Sequence, residues 1–186
     1  MKNHALSKSI IALTAICLIT AIALAAVDYV TAPRIAENER IAENKALRVV
    51  LPEGSEFIKV DDLSIFEGLP KNVTAVYKDK TDKGFVFRLS TAGYSKGLVI
   101  LCGVSSDGVI SGAVCLASKE TLGAEKTFGE RFAGLDLDGA KKVDTVARVT
   151  RTSVAYKNAV LDALRAFELV KNVEIIETAE EGGGDN

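Results

Sequence analysis

Residues 10–27 form a nearly continuous apolar run that holds no charged side chain and only two threonines. At a helical rise of roughly 1.5 Å per residue, such a run comes close to the thickness of a hydrocarbon core, about 30 Å. The pattern therefore predicts a transmembrane helix over residues 10–30.

The charges that flank this run predict its orientation. Lys2 and Lys8 precede it and Asp28 follows it, so the positive-inside rule predicts that residues 1–9 are cytoplasmic and that the main domain is extracytoplasmic. A cleaved signal peptide is the alternative, because Ala-Leu-Ala at residues 23–25 forms a small-x-small cleavage pattern. The apolar run is longer than the roughly 7–15 residues usual in signal peptides, which favours a single-pass anchor in the cell membrane.

A near-duplicated polar segment follows the anchor. RIAENE at residues 34–39 is followed by RIAENK at residues 40–45, and both are rich in strong helix formers before LPEG at residues 51–54. The repeat predicts a helical stalk over residues 31–51. A short coiled coil is the alternative, although two six-residue units do not make sustained heptads.

The hydrophobic pattern then changes to short runs separated by Gly, Asp, Asn and Ser, which is typical of strands. Five such runs occupy residues 56–60, 72–77, 84–89, 97–104 and 109–117. The later runs are apolar on both faces, as expected for strands of a sheet that is covered on both sides.

A helical pattern begins near Ser153 and carries an apolar stripe at helical spacing. The stripe consists of Tyr156, Val160, Leu164 and Phe167. The chain is therefore expected to be α+β, with a mainly antiparallel sheet and a packed C-terminal helix in one domain over residues 52–175. The acidic, glycine-rich residues 176–186 predict a disordered tail.

Composition and charge exclude several functions. The formal net charge is -2 and no sustained basic patch is present, so no nucleic-acid partner is predicted. His4 is the one histidine of the sequence, and Cys17 falls within the apolar run. Neither a Cys/His metal cluster nor a Ser-His-acid triad can be assembled, so we predict no metal site and no catalytic residue.

The two remaining cysteines are expected to be reduced neighbours. A hairpin turn centred in residues 106–109 would place Cys102 opposite Ala113 and Cys115 opposite Ile100. This register makes the cysteines diagonal neighbours rather than a direct pair, so small buried side chains are favoured over the alternative of a disulfide.

The stretch DTVARVTRTS at residues 144–153 resembles the flavin-attachment motif of the G subunit of Rnf-type electron transport complexes and related FMN-binding domains. That motif reads roughly Asp-x-x-Ser/Thr-Gly-Ala-Thr-x-Thr-Ser, and its middle Thr carries FMN through a phosphoester. By this resemblance Thr150 is the acceptor, Asp144 is the leading acid, and Thr152 and Ser153 are the closing pair.

Other segments repeat the landmarks of the same family in order. Residues 30–39 resemble its juxtamembrane sequence, and GYS at 93–95 and GVISG at 108–112 precede ETLG at 120–123. The family usually has Glu-Thr-Pro-Gly-Leu-Gly at the last landmark, so this loop is shortened here. The resemblance implies that Glu120 and Thr121 take part in cofactor binding.

The predicted start of the last helix suits a phosphate. Unpaired backbone N–H groups and the helix dipole favour an anion there, and Arg148 and Arg151 could add charge-assisted hydrogen bonds. The alternative is an ordinary capping segment in which Thr152 or Ser153 caps the helix and both arginines are solvated.

The resemblance implies a membrane-anchored electron-transfer subunit with covalent FMN. Its complex would couple electron transfer between ferredoxin and NAD to translocation of Na⁺ or H⁺, with other membrane subunits as partners. The chain would then be a redox subunit rather than a stand-alone enzyme. A separate flavin transferase would install the flavin on Thr150 from FAD.

Two other functions stay open because Ala-Arg-Val at residues 147–149 replaces the family's Ser/Thr-Gly-Ala. One is a divergent homologue that has no covalent flavin and acts as an assembly or scaffolding subunit or binds a ligand non-covalently. The other is an unrelated, anchored extracytoplasmic binding domain. Arg148 matters most in this respect, because it stands where the family has a glycine that readily adopts positive φ.

Overall fold

The computed structural model describes the backbone of residues 2–181 and the side chains of residues 10–172. The chain divides into two compact units, Met1–Ala42 and Glu43–Asn186. Helix α1, Lys2–Val50, continues through Pro33 and makes up the described part of the first unit. Its most apolar 18-residue window has a mean hydropathy of 2.8, so it is long and apolar enough to cross a membrane. The predicted anchor helix and the predicted helical stalk are confirmed as helix.

The second unit is built on a five-stranded antiparallel sheet in which neighbouring strands follow chain order. The strands are β1 Phe57–Lys59, β2 Val73–Asp79, β3 Gly84–Ala92, β4 Lys96–Ser105 and β5 Ile110–Ala117. All five predicted strands are confirmed, with ends that differ by up to three residues. The predicted α+β class is confirmed as well.

Short helices connect the sheet to the last long helix. They are the helices α2 Glu125–Phe128 and α3 Leu137–Lys142 and the 3₁₀ turn Gly129–Phe132, and α4 Thr150–Glu181 ends the described chain. A further 3₁₀ turn, Leu63–Ile65, lies between β1 and β2. Helix α4 begins three residues before the predicted start at Ser153, because the Ser153 N–H already donates to the Val149 carbonyl at 2.9 Å. It includes residues 176–181, which the sequence assigned to a tail. Residues 182–186 lie outside the described residues, so their disorder stays a prediction.

Helix α4 covers one face of the sheet. The predicted stripe of Tyr156, Val160, Leu164 and Phe167 is buried in the main core. Phe167 meets Phe85 of β3 edge to face, with ring centroids 6.0 Å apart. Burial of this stripe fixes the rotation of α4 about its axis, and therefore the side on which its first turn is presented.

The end of helix α1 covers the other face. Leu47, Val50 and Leu51 are buried against residues of β2, β3 and β4. Two glycines that pair across β4 and β5, Gly103 and Gly112, leave room for this helix end. A Cβ on Gly103 would lie 2.3 Å from the Val50 carbonyl oxygen, and a Cβ on Gly112 would lie 3.1 Å from the Val50 Cα. The last turns of the predicted stalk are therefore part of the globular unit.

The hairpin between β4 and β5 has the predicted register. Cys102 lies opposite Ala113 and Cys115 lies opposite Ile100, and both cysteines are free. Burial raises the pKa of the Cys102 thiol to about 12. Burial, with a further contribution from the carboxylate of Glu125, raises the pKa of Cys115 to about 11.

We expect both thiols to react slowly with alkylating reagents at pH 8 in the native protein, because only the thiolate is nucleophilic. Once the protein is unfolded without reductant, mass analysis should find both Cys102 and Cys115 alkylated. Native labelling should accelerate as the pH rises toward the raised pKa values. A tryptic peptide pair joined through the two sulfurs would contradict this prediction.

Candidate functional site

The loop before helix α4 is held by Ser153. Its hydroxyl accepts a hydrogen bond from the Val146 N–H at 3.2 Å, and its proton is shared between the carbonyls of Val149 at 3.0 Å and Thr150 at 3.2 Å. Ser153 is buried, so these bonds form away from bulk water. They close residues 146–150 into a tight turn that presents Thr150 at a fixed position.

Thr150 is the first residue of α4 and is exposed. The first turn of a helix has N–H groups without intrahelical partners, and the helix dipole adds a partial positive charge there. Arg148 and Arg151 flank Thr150 and are also exposed, and neither forms an ion pair within the part of the chain that the structure describes. The hydroxyl of Thr150 is therefore accessible and lies in a positive environment.

Arg148 has a left-handed backbone, with φ at 69°. This conformation suits glycine and costs a residue with a side chain on the order of 1 kcal/mol. The family motif has glycine at this position, and the turn keeps the conformation that a glycine would adopt readily. Arg148 therefore places a guanidinium next to Thr150 in the sequence while its own backbone is left-handed.

Glu120 connects three segments around the site. Its carboxylate accepts hydrogen bonds from the Ser95 N–H at 2.9 Å and from the Thr152 hydroxyl at 2.8 Å. Gly93 lies against this pair, since a Cβ there would meet the Glu120 carboxylate at 2.6 Å. Thr152 and Ser153 thus bond elsewhere and do not cap α4, so the interpretation of these residues as an ordinary N-cap is wrong.

A cavity of about 460 Å³ opens beside Thr150. Its lining residues are Tyr94, Glu120, Thr121, Leu122, Glu125 and residues 148–152. Tyr94 is 72% exposed and Leu122 is 68% exposed, the two highest values among the large apolar side chains that the structure describes in residues 43–172. Exposed apolar side chains at a cavity indicate a surface that a ligand covers.

A second cavity of about 430 Å³ lies on the other side of the same turn and is also lined by Thr150 and Arg151. Its wall includes Asn72, whose side-chain N–H donates to Asp162 at 2.9 Å, while the Asn72 side-chain oxygen is buried without a partner. Thr150 therefore borders two cavities. The first is the more apolar of the two.

The structure brings most of the sequence-predicted site residues together. Seven of them line the first cavity or brace its wall: Glu120, Thr121, Arg148, Thr150, Arg151, Thr152 and Ser153. Asp144 is exposed in the loop after α3 and is not among the residues that line either cavity. Among the described residues, no cluster of three or more His, Cys, Asp or Glu side chains is placed to hold a metal ion.

Sequence reasoning missed Tyr94, Leu122 and Glu125 as site residues. Tyr94 lies within the landmark GYS, but only the fold shows that it faces the turn before α4. Glu125 begins a helix of four residues, which is too short to give a periodic signal. No local pattern marks these side chains, because the cavity is formed by segments that are distant in sequence.

Comparison with known proteins finds two family models that match this chain. Residues 1–50 match the RnfG N-terminal region, and residues 93–165 match the FMN-binding domain. The second match covers β4, β5 and the first half of α4, and so includes the cavity and Thr150. The G subunit of the Na⁺-translocating ferredoxin:NAD⁺ oxidoreductase complex of Acetobacterium woodii is 26% identical in an alignment 183 positions long, and the match covers 84% of this chain and 88% of that relative. The chain therefore has the domain order of Rnf-type G subunits, an RnfG N-terminal region followed by an FMN-binding domain, and these matches support its assignment as the electron-transfer G subunit of an Rnf complex.

Proposed function

We propose that this protein carries FMN through a phosphoester on Thr150. The observation that carries the proposal is an accessible threonine hydroxyl, at the first residue of a long helix, between two exposed arginines and beside a cavity of about 460 Å³. The deciding experiment is the mass of the protein before and after removal of this hydroxyl.

The chemistry of the lining residues fits FMN. The N-terminus of α4 with Arg148 and Arg151 suits the phosphate, since helix N-termini and guanidinium groups both bind phosphate oxygens. Tyr94 and Leu122 offer apolar surface to the flat isoalloxazine ring. A volume of about 460 Å³ lies within the roughly 300–1,000 Å³ usual for small-molecule sites. Thr121 borders this space, while Glu120, Thr152 and Ser153 keep its wall in place.

The attachment step requires FAD and a flavin transferase. The oxygen of Thr150 forms a bond to the FMN phosphorus, the bond from that phosphorus to the bridging oxygen breaks, AMP leaves, and the hydroxyl proton is released. Each Thr150 is modified once and is not regenerated, so it is an acceptor and not a catalytic nucleophile. When bound, FMN supplies the redox chemistry, while the protein supplies position and electrostatics.

The partners follow from the family. The relative from Acetobacterium woodii is named as part of a Na⁺-translocating ferredoxin:NAD⁺ oxidoreductase complex. We propose that this chain likewise passes electrons within a membrane complex that couples ferredoxin and NAD chemistry to Na⁺ or H⁺ translocation. The exposed position of Thr150 supports this role, because a redox group attached there would be accessible to a partner subunit.

The orientation of the anchor gives a testable prediction. With Lys2 and Lys8 before the apolar run, an alkaline phosphatase fused to the C-terminus should be active and a green fluorescent protein at the same junction should be dark. The mature protein should also keep its N-terminal peptide. A fluorescent C-terminal fusion would contradict the orientation, and a soluble form starting at Ala26 would show that the anchor is a cleaved signal peptide.

A further inference from the structure

Glu125 is the most deeply buried acidic residue that lines the cavity beside Thr150. It is 3% exposed, and it borders both this cavity and the tightly packed space around Tyr156. Glu120, the other cavity-lining carboxylate, already accepts hydrogen bonds from Ser95 and Thr152. Glu125 therefore differs from Glu120 in having its acceptor capacity free.

Within residues 10–172, whose side chains the structure describes, the Glu125 carboxylate has no hydrogen bond and no ion pair. Its oxygens are not among the fully enclosed polar atoms without a partner, and Glu125 is one of the residues that line the cavity. A carboxylate that is largely removed from water and unpaired lowers the stability of a fold. Its position is accounted for if a ligand in the cavity supplies the missing hydrogen-bond donor.

The charges around the cavity are separated. The N-terminus of α4, Arg148 and Arg151 make one part of the lining, its mouth, positive, while Glu120 and Glu125 place negative charge in its wall. FMN has a matching distribution, because its phosphate is anionic whereas its ribityl hydroxyls and the N–H of its ring are donors. An anion alone, such as inorganic phosphate, would complement only the mouth.

We propose that the Glu125 carboxylate accepts a hydrogen bond from the flavin and lowers its reduction potential. This inference rests on the proposed attachment of FMN to Thr150. A negative charge in the wall of a cavity opposes the addition of electrons to a group in that cavity, and the burial of the Glu125 side chain strengthens the effect. Glu125 is thus a positioning and tuning residue for the electron-transfer step.

The test compares Glu125→Gln with Glu130→Gln in the full-length protein, co-expressed with a flavin transferase and purified in detergent. Glu130 is exposed in the following 3₁₀ turn and serves as the matched control. Redox titration of the attached flavin should show a higher potential for Glu125→Gln by at least about 30 mV, which is tenfold in a two-electron equilibrium constant. Glu130→Gln and Glu125→Asp should stay near the wild type, the second because it keeps the charge.

A second measurement uses protein made without the transferase. If Glu125 serves the ligand, Glu125→Gln should melt at the wild-type temperature or above it, because the unpaired charge is removed. An equal potential in Glu125→Gln and wild type, a lower one, or a marked loss of melting temperature would each overturn the inference while leaving the attachment on Thr150 intact. Absence of flavin from the wild-type protein would instead reject the proposed function itself.

Discussion

Replacement of Thr150 by alanine should abolish flavin attachment completely. Wild-type protein co-expressed with a flavin transferase should gain the mass of one FMN less one water and should fluoresce in a denaturing gel. The variant should show neither signal, because the other hydroxyls of the first turn of α4, those of Thr152 and Ser153, are buried and already hydrogen-bonded. Thr150 is exposed and its hydroxyl makes no bond that the fold requires, so stability should change by less than about 0.5 kcal/mol.

Thr145 offers a matched control for this experiment. It is an exposed threonine in the same loop, and Thr145→Ala should keep both the mass gain and the fluorescence. Thr150→Ser should keep part of the attachment, because the hydroxyl is preserved. Persistent fluorescence in Thr150→Ala would show that another residue is the acceptor.

The effect of Ala-Arg-Val at residues 147–149 can be tested with the same co-expression of a flavin transferase. If the wild type stays unmodified while the double variant Arg148→Gly, Val149→Ala becomes labelled, the triplet has disabled attachment and the chain is a flavin-free scaffolding subunit. The left-handed φ of 69° at Arg148 argues that the turn is already in a conformation suited to attachment. We therefore expect the double variant to be labelled to the same extent as the wild type. If neither protein is labelled while an intact-motif relative is, covalent flavin is excluded.

The second large effect concerns the packing beneath the site. Tyr156 is fully buried and packs against Phe128, with ring centroids 5.5 Å apart, and against Phe132 at 6.1 Å. Tyr156→Ala should lower the free energy of unfolding by roughly 3–5 kcal/mol, because it removes a large buried ring and leaves a cavity. Urea unfolding of the detergent-solubilised chain, followed by circular dichroism, measures this loss.

Tyr156→Phe separates packing from polarity. The Tyr156 hydroxyl is buried without a hydrogen-bond partner among the described residues, and burial raises its pKa well above the ordinary value. Removal of this hydroxyl keeps the ring and relieves an unsatisfied polar group, so stability should stay equal or rise by about 1 kcal/mol. A loss above about 1 kcal/mol in Tyr156→Phe would mean that the hydroxyl has a partner, such as an ordered water.

The membrane helix, the five strands and the register of the last hairpin follow from local patterns. Apolar run length, alternation and an Asp-Gly turn act over a few residues, so they can be read without knowledge of the fold. The register placed Cys102 opposite Ala113 from the turn alone, and the structure has the same pairing. The candidate acceptor Thr150 was also identified locally, from its motif and from the helical pattern that follows it.

The start of α4 shows where local patterns fail. The apolar stripe begins at Tyr156, so periodicity could not show that the helix starts at Thr150. Hydrogen bonds that join Ser153 to the Val146 N–H and to the Val149 carbonyl hold that start, and the apolar stripe gives no sign of them. Local patterns likewise predicted that the last turns of α1 belong to a stalk outside the domain. In the structure these turns pack on the sheet, because Gly103 and Gly112 have no side chain that would collide with the backbone of Val50.

Local patterns along the chain thus predicted the apolar helix, the strands, the family resemblance and Thr150 as the candidate flavin acceptor, because each prediction depends on neighbours in the chain. The packing of distant segments is what brings Glu120 to Thr152, 32 positions away, and places Glu125, with its free carboxylate, in the cavity lining. These features arise where the β3–β4 turn, the loop after β5 and the start of α4 meet. Contacts between such distant segments depend on the packing of the whole sheet and leave no periodic trace along the chain.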